Sequence, residues 1–372
     1  MSIKSIADIC KINPQKKEIL NMDGSIEVSF IPMSNVSEQG DVDLSEVRVL
    51  DEVRSGFTFF RDKDVLFAKI TPCMENGKGA LVDNLVNGIG FGSTEFHVLR
   101  AKDEIDPKWL YYVTKSSVFR NTAEINMTGS AGQKRVPTSF FDKFKVFVPT
   151  IQQQRKIAEV LDKSQQIIDK RKEQIEACDE LIKSQFIEMF GDPIINSKGL
   201  PVVPLGEVCN MKAGKSIKAA DIFDMNENGM FPCYGGNGLR GYVKAYTHEG
   251  AIPLIGRQGA LCGNVQFAQG EFYATEHAIV TQPKVEMNTQ WLYIMLREMN
   301  LNRLASGAAQ PGLNVSTLVP LEVINPPVEI QNQFAEFVQQ VDKLKLEMQQ
   351  SLVELENNFN SLMQRAFKGE LF

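Results

Sequence analysis

The sequence has few of the residues that build metal sites and disulfide frameworks. Its 372 residues include six cysteines, at positions 10, 73, 178, 209, 233 and 262, and none of them forms a C-x-x-C pair. The three histidines, at positions 97, 248 and 277, lie far apart, with no nucleophile or carboxylate at an informative spacing. The sequence therefore predicts neither a zinc site nor a secreted disulfide scaffold, and His97 is expected in the core or at the edge of a strand.

Long apolar runs are also missing. No stretch approaches the ~18–20 apolar residues that a membrane span needs. The first residues, MSIKSIADICK, lack a basic segment followed by an apolar one, so no secretory signal is visible. We therefore expect no membrane association and a cytoplasmic location.

Three short stretches resemble catalytic or nucleotide-binding motifs, but each lacks a feature that its motif requires. AGKS at 213–216 resembles the end of a phosphate-binding loop, but Cys209 stands where that loop needs glycine. GIGFG at 88–92 leads into a strand rather than a helix, so it favours a turn over a dinucleotide site. NPP at 325–327 resembles an amino-methyltransferase signature, but Val328 replaces the required aromatic residue. A structural hinge is the simpler interpretation of NPP.

Excess positive charge, the usual sign of a nucleic-acid partner, is absent. The formal net charge is −6. Basic and acidic residues number 7 and 9 in 151–194, and 4 and 7 in 329–372, so the remaining stretches are nearly neutral. Composition alone gives DNA binding no support, and a solvated surface of mixed charge is the simpler interpretation.

What the sequence does contain is a stretch without proline or glycine, from 151 to 190. Alternating steps of four and three residues connect Ile157, Leu161, Ser164, Ile168, Arg171, Ile175, Cys178, Ile182, Gln185 and Met189. This spacing predicts a coiled-coil helix of roughly 60 Å. GDP at 191–193 should end it.

A second such helix is predicted near the C-terminus, beginning at about Ile330. Its apolar positions are Phe337, Val341, Leu344, Met348, Leu352, Leu355, Phe359 and Leu362. Two successive steps of four, ending at Met348 and Leu352, predict a stutter there. We expect the two helices to pair in antiparallel fashion, because a parallel pair would need a long crossover.

The globular stretches repeat each other. Matching motifs recur in the same order: IADIC at 6–10 and LGEVC at 205–209, STEF at 93–96 and ATEH at 274–277, WLY at 109–111 and 291–293, GSAGQ at 129–133 and SGAAQ at 306–310, IQQQ at 151–154 and IQNQ at 330–333. In the first copy we predict strands at 26–31, 65–70, 79–82, 96–99 and 144–148, a helix from Pro107 and a flexible polar loop at 126–137. The order predicts a tandem duplication of a domain followed by a helix.

At this point the sequence resembles a known family. DVLFAKITPCMENGK at 64–78 and YGGNGLRGYV at 234–243 are similar to motifs in the target-recognition domains of type I restriction–modification specificity (HsdS) subunits. The proline-then-glutamine start of each helix and the ending AFKGEL at 366–371 fit that family's spacer regions. The resemblance covers nearly the whole chain.

The resemblance implies an α+β fold of two repeated β-rich target-recognition domains. Two long antiparallel coiled-coil helices would join and separate them, with pseudo-two-fold symmetry. The implied boundaries are recognition domain 1 at 1–150, central spacer helix at 151–192, recognition domain 2 at 193–328 and distal spacer helix at 329–372.

The function implied by the resemblance is that of a non-catalytic subunit. Each domain would read one half of an asymmetric bipartite site in double-stranded DNA, and the coiled coil would set the spacing. The chain would recruit two methyltransferase subunits and, for cleavage, restriction subunits. It would hold no cofactor, because S-adenosylmethionine, ATP and Mg would belong to the partners. A coiled-coil scaffold without a DNA role and a self-sufficient methyltransferase are the alternatives.

Base contacts are expected from polar loop residues. The candidates in the first domain are Lys69, Thr71, Lys78, Ser93, Thr94, Lys134 and Arg135. Those in the second are Lys215, Asn237, Arg240, Arg257, Gln258, Asn264, Thr275, His277 and Gln310. Each could instead be an ordinary surface residue, and the Gly-Gly-Asn turn could simply hold Asn237 at positive φ.

Overall fold

The chain forms two compact units. The computed structural model describes residues 2–130, 132–259, 261–307 and 311–371. Unit 1 comprises residues 1–171 and 351–372, and unit 2 comprises residues 172–350. Among the described residues, no helix is both long and apolar enough to cross a membrane.

Unit 1 begins with a β-rich region. Its strands are β1 (Ser2–Ser5), β2 (Cys10–Ile12), β3 (Glu27–Ile31), β4 (Val47–Val49), β5 (Thr58–Arg61), β6 (Val65–Ala68), β7 (Gly79–Leu81), β8 (Ile89–Gly92), β9 (Phe96–Ala101) and β10 (Lys145–Val148). Its short helices are α1 (Ile6–Ile9), α2 (Leu50–Val53), α3 (Pro107–Lys115), α4 (Ser117–Ile125) and α5 (Phe140–Lys143). The predicted strands and the helix from Pro107 are confirmed to within two residues at each end.

The strands of unit 1 form two four-stranded sheets and one pair. The orders are β2-β9-β6-β7, β4-β3-β8-β5 and β1-β10. The β3–β8 pair is parallel and the other pairs are antiparallel. A core built around the fully buried Trp109 packs between the first sheet and the helices.

Unit 2 continues from the first long helix, α6 (Ile151–Phe190). Its strands are β11 (Val202–Pro204), β12 (Cys209–Ala213), β13 (Phe231–Gly235), β14 (Gly238–Val243), β15 (His248–Glu249), β16 (Ile252–Gly256), β17 (Val265–Ala268), β18 (Glu271–Ala274), β19 (Ala278–Pro283) and β20 (Glu322–Ile324). Its helices are α7 (Leu205–Val208), α8 (Thr289–Glu298), α9 (Val315–Leu318) and the start of α10 (Val328–Lys368).

The sheets of unit 2 repeat those of unit 1 strand for strand. Their orders are β12-β19-β16-β17, β14-β13-β18-β15 and β11-β20, each strand ten places later than its counterpart. The parallel pair recurs as β13–β18. The internal repeat predicted from the sequence is therefore confirmed.

Both long helices end at a glycine in the left-handed region. Gly191 follows α6 at φ 75°, and Gly369 follows α10 at φ 77°. A side chain is strained at such a φ, which is why glycine ends helices so often. The predicted end of α6 is confirmed, while α10 begins at Val328, two residues before the predicted Ile330.

The predicted seam of α6 is confirmed, because all ten of its positions are buried or half-buried. The seam of α10 is wrong at one position. Leu344 is 45% exposed, and Lys345 faces α6 instead, with Nζ 2.7 Å from Asp179 Oδ1. A lysine can occupy a seam because its stem packs while its ammonium finds a carboxylate. Near the start of the helix the buried positions are Phe334, Val338 and Val341, with Val338 2% exposed. Alternating steps of four and three then connect Phe334, Val338, Val341, Lys345, Met348 and Leu352, so the predicted stutter at Met348–Leu352 is not present.

Within each unit, the two long helices run antiparallel. In unit 2 the rings of Phe186 and Phe190, near the end of α6, each lie 5.5 Å from Phe334, near the start of α10. In unit 1 the start of α6, at Leu161, shares a core with Met363 near the end of α10. The antiparallel prediction is confirmed in both units.

A buried glutamine fixes the start of each long helix to the β-rich region of its own unit. Gln154 accepts a hydrogen bond from Asp106 N (2.9 Å) and donates one to Pro149 O (2.9 Å). Gln331 accepts from Asn288 N (3.0 Å) and donates to Pro326 O (2.8 Å). Both glutamines are 1% exposed. Gln154 thus corresponds to Gln331, which corrects the alignment of IQQQ with IQNQ by two residues.

Candidate nucleic-acid interface

Three loops of unit 1 converge where β6 ends. We call residues 69–78, 93–95 and the described part of 128–136 together loop patch 1. Main-chain hydrogen bonds join the loops: Lys69 N to Glu95 O (2.9 Å), Thr71 N to Lys134 O (3.1 Å) and Val136 N to Lys69 O (2.9 Å). The third loop is itself a hairpin closed by a bridge between Thr128 and Arg135. The patch brings together all seven candidates of the first domain.

Unit 2 builds the same arrangement where β16 ends. The described parts of 257–264 and 306–313, together with residues 274–277, form loop patch 2. The equivalent bonds are Arg257 N to His277 O (3.0 Å), Gly259 N to Pro311 O (3.0 Å) and Leu313 N to Arg257 O (2.9 Å). Ser306 and Gly312 close the hairpin as Thr128 and Arg135 do. The two patches therefore share a backbone scaffold.

This equivalence corrects one detail of the sequence repeat. Phe96 N donates to Ser93 O (3.2 Å), and Ala278 N donates to Thr275 O (3.0 Å). Ser93 thus corresponds to Thr275, so the alignment of STEF with ATEH is one residue off. The sequence alignment places Glu276 opposite Glu95 because both are acidic, but in the structure His277 occupies the position of Glu95.

The candidates of loop patch 1 differ in how free their side chains are. Thr94 and Lys134 are exposed. Lys69 is half-buried, and burial lowers the pKa of its ammonium. The hydroxyl of Thr71 donates to Glu75 Oε1 (2.6 Å), and that of Ser93 accepts from Glu95 N (3.2 Å). Lys69, Thr94 and Lys134 are the most available of these to a ligand.

Arg135 is held by an ion pair. Its Nε lies 2.9 Å from Glu95 Oε2, and its Nη2 lies 2.8 Å from Glu95 Oε1. The hydrogen bond from Arg135 is the largest cause that holds the pKa of Glu95 below its usual range. Since the pair uses one full edge of the guanidinium, Arg135 clips two loops of the patch together in this conformation.

Lys78 and Asn264 occupy equivalent positions, and the side chain of each binds a neighbouring loop. Ala68 N donates to Lys78 O (3.3 Å), and Gly256 N donates to Asn264 O (2.8 Å). Lys78 Nζ donates to Met33 O (3.1 Å), and Asn264 Nδ2 donates to Asn237 Oδ1 (3.2 Å). Each therefore anchors the loop between the third and fourth strands of its own repeat.

The glycine-rich turn between β13 and β14 lies directly against the end of β16. A Cβ on Gly256 would lie 2.0 Å from Gly236 O, so the turn can approach this closely only because residue 256 is glycine. A Cβ on Gly236 would lie 2.9 Å from His277 O. Asn237 is exposed on this turn. Gly238 has a φ of 102°, and Asn237 does not have a positive φ. The expectation that Asn237 itself needs positive φ is therefore wrong.

Loop patch 2 and the residues beside it offer several accessible polar groups. Gln258 of the patch is exposed, and so are Lys215 and Arg240 outside it. Lys215 borders the patch through a bridge to Thr275. Among the described residues, the guanidinium of half-buried Arg257 makes two long contacts, 3.4 Å to Glu276 O and 3.5 Å to Asn314 Oδ1. Such contacts are easily exchanged for those of a ligand.

Three further candidates of the second domain differ in how accessible their side chains are or in whether the structure describes them. Thr275 is 0% exposed, so its side chain cannot contact a base from this position. The imidazole of His277 is accessible, with Nε2 3.5 Å from Glu276 Oε1. Gln310 lies outside the described residues.

His97 is a core residue beneath loop patch 1. Its Nε2 lies 2.8 Å from Val136 O, and its Nδ1 lies 3.1 Å from Asn13 Nδ2. Burial lowers the pKa of His97 to about 4. The imidazole is therefore neutral at pH 7 and holds the hairpin of the patch to the sheet, as expected for a core histidine.

The sequence reasoning missed Arg120, which holds loop patch 1 from inside. It is 8% exposed, and its guanidinium donates to Met74 O (3.0 Å) and to Gly77 O (3.2 Å). A signal was present, because Arg120 falls in phase with buried Phe119 and Ala123 on one face of α4. A charged residue on an apolar helical face predicts a buried ion that needs partners.

Comparisons with known proteins agree with this architecture. The sequence matches the type I restriction modification DNA specificity domain over residues 1–177 and 198–357. The specificity subunit of the type I restriction enzyme EcoprrI from Escherichia coli is 49% identical over 141 residues, which are 38% of this chain and 35% of that subunit. The match thus spans about a third of that relative's length.

Solved structures share the fold. A chain from a study of complex assembly and conformational transition of the type I R-M system superposes with a TM-score of 0.67 at 19% identity, covering 100% of this chain and 98% of that chain. The type I restriction–modification S subunit from M. genitalium superposes with a TM-score of 0.59 at 18% identity, covering 98% and 96%. At these identities the likeness establishes the fold alone.

Proposed function

The chain belongs to the type I restriction modification DNA specificity family, and we propose that it is the sequence-reading subunit of a type I restriction–modification complex. Loop patches 1 and 2 would each read one half of a bipartite site in double-stranded DNA. The observation that carries this proposal is their shared backbone scaffold with different side chains. Two loop sets of one geometry and different chemistry suit two related but unequal half-sites.

The differences fall on positions that can read bases. Lys69 corresponds to Arg257, and Glu95 corresponds to His277. In the hairpins, Lys134 corresponds to Pro311. Sequence is read by side-chain hydrogen bonds to base edges, and each of these exchanges alters the donors or acceptors available. The two halves of the site should therefore have different sequences.

The globular stretches are nearly neutral and the whole chain carries a net charge of −6, so we assign strong phosphate binding to partner subunits. Strong phosphate binding needs basic surface, which methyltransferase subunits clamped on the duplex would supply. Those subunits would also flip the target adenine and bind S-adenosylmethionine, while restriction subunits would use ATP and Mg. This chain would be non-catalytic, with its own residues positioning the DNA and the partners.

The long helices would set the spacing between the half-sites. Removing seven residues from each helix at matched positions would shorten the coiled coil by about 10 Å. That is about three base pairs of duplex. We expect the unread gap to shrink accordingly, and an unchanged gap would refute this role of the helices.

Selection from a randomised duplex library tests the proposal. The full chain, purified with its co-expressed methyltransferase subunits, should enrich one bipartite sequence with unequal halves and a fixed gap. Enrichment of no sequence would support a coiled-coil scaffold instead, since such a scaffold has no preference among duplexes.

A further inference from the structure

Arg120 is a buried cation, and among the described residues all of its hydrogen bonds go to main-chain carbonyl groups. Its Nε donates to Thr114 O at 2.7 Å. Its Nη1 and Nη2 reach three carbonyls of the loop after β6, those of Met74, Gly77 and Lys78, at 3.0–3.3 Å. The guanidinium also lies over the ring of Phe67, 4.7 Å from its centroid.

Such an arrangement is costly unless it is well satisfied. A charge removed from water needs partners for each of its donors, and arginine brings five donors in a rigid fork. Burial lowers the pKa of Arg120 to about 10. Carbonyl groups that converge on one fork are thereby fixed relative to one another, because any movement of the loop leaves a buried donor unpaired.

The same loop is tied from a second direction. Lys115 Nζ donates to Gly77 O (3.2 Å) and also to Glu38 O. Tyr111 Oη donates to Gln39 O (3.0 Å). The side chains of α3 and α4 thus hold both the loop after β6 and the loop between β3 and β4.

The held loop is part of loop patch 1. Met74 N donates to Ile70 O (2.9 Å), so the clamped turn continues directly into the segment that carries Lys69 and Thr71. Thr71 also binds Glu75 within that turn. Displacement of the turn would therefore move the candidate base-reading side chains.

In unit 2 an uncharged and exposed side chain binds the equivalent loop. Counting from the matched tryptophans, position 120 corresponds to Asn302. Asn302 Nδ2 donates to Cys262 O (2.8 Å), a carbonyl of the equivalent loop after β16. Position 115 corresponds to Arg297, which pairs with Glu298 (3.1 Å). The chain therefore offers a matched control for the first clamp.

We propose that Arg120 is a positioning residue for sequence recognition by unit 1, acting through the carbonyl groups of Met74, Gly77 and Lys78, and that Asn302 plays the equivalent part in unit 2. The inference rests on the proposed function. It assigns sequence discrimination to a buried residue in unit 1 and to an exposed one in unit 2, each acting through the loop it holds rather than by contact with DNA.

The test compares Arg120→Met, Arg120→Lys and Asn302→Ala with the unaltered chain in the same selection from a randomised duplex library. Arg120→Met should lower discrimination at one half-site by about tenfold and leave the other half within about twofold. Arg120→Lys keeps the charge and should retain part of the lost discrimination. Asn302→Ala should affect the opposite half.

The outcomes separate this inference from the proposed function. If the unaltered chain enriches no sequence, both fail together. If it enriches a bipartite site and Arg120→Met changes neither half, or both halves equally, the positioning role alone is overturned. Thermal unfolding identifies a variant that does not fold. In that case Lys115→Met, which removes the outer half of the clamp, should give the same one-sided loss, and an unchanged preference would overturn the proposal.

Discussion

The ring of Phe190, the last residue of α6, packs against Trp291 with centroids 5.9 Å apart and planes at 68°. In unit 1, Phe367 meets Trp109 at 6.2 Å in the corresponding place near the end of α10. In each unit, the tryptophan thus packs against the end of one long helix, and a buried glutamine fixes the start of the other long helix. Both helices are therefore part of the core of each unit.

Phe190→Ala should destabilise the protein by about 3–5 kcal/mol, because it removes a fully buried ring and leaves a cavity beside Trp291. Ile187→Ala, on the same helix but 39% exposed, is the control and should cost less than about 1 kcal/mol. Urea denaturation of the two variants checks this. Equal losses would show that the end of α6 is not part of the core of unit 2.

The corrected seam of α10 gives a second comparison. Val341 is 5% exposed and Leu344 is 45% exposed. Val341→Lys buries an unpaired ammonium and should cost about 3 kcal/mol or more, whereas Leu344→Lys should stay within about 0.5 kcal/mol. Thermal unfolding followed by circular dichroism measures both. A severe effect of Leu344→Lys would restore the seam that the sequence alone predicts.

His97 should make stability fall in mild acid. The pKa of the folded-state imidazole is lowered from 6.5 to about 4 by burial. Between about pH 6.5 and pH 4, His97 is therefore protonated in the unfolded chain but stays neutral in the folded chain. Stability is fully present above pH 6.5 and should decline by up to about 3 kcal/mol as the pH falls towards 4.

His97→Ile is the control for this pH dependence, because Ile279 occupies the equivalent position of unit 2. The variant loses two hydrogen bonds and should be less stable at pH 7. The difference in unfolding free energy between wild type and variant should shrink from pH 7 to pH 4.5. A constant difference would mean that His97 is not kept neutral by burial.

The sequence predicts the repeat, both long helices and most strands, because these follow from periodicity and turn residues that act locally. The sequence pattern places Leu344 in the seam because an apolar residue fits a heptad position better than a lysine does. The pattern does not show that Lys345 pairs with Asp179 across the two helices. The alignment of Glu95 with Glu276 fails for a similar reason. Aligning identical residue types gives one correspondence between the two repeats, whereas the main-chain hydrogen bonds give another that is shifted by one residue.

The candidate site is harder to predict than the fold. Three candidates are residue types that commonly read bases, yet the side chain of each holds loops of the protein together: Lys78, Asn264 and Arg135. Arg120 looks like a surface residue in the sequence and is buried. Whether a polar loop residue faces a ligand or the protein depends on partners distant in the sequence, which no local pattern records.

The central claim is that each unit reads one half of a single bipartite site, and Lys69 and Arg257 test it most directly because they are structurally equivalent. Lys69→Met and Arg257→Met should each be compared with the unaltered chain by selection from a randomised duplex library. We expect each variant to lose about 1–3 kcal/mol of discrimination in a different half of the same sequence. Loss in the same half from both variants, or in neither half, would contradict the claim.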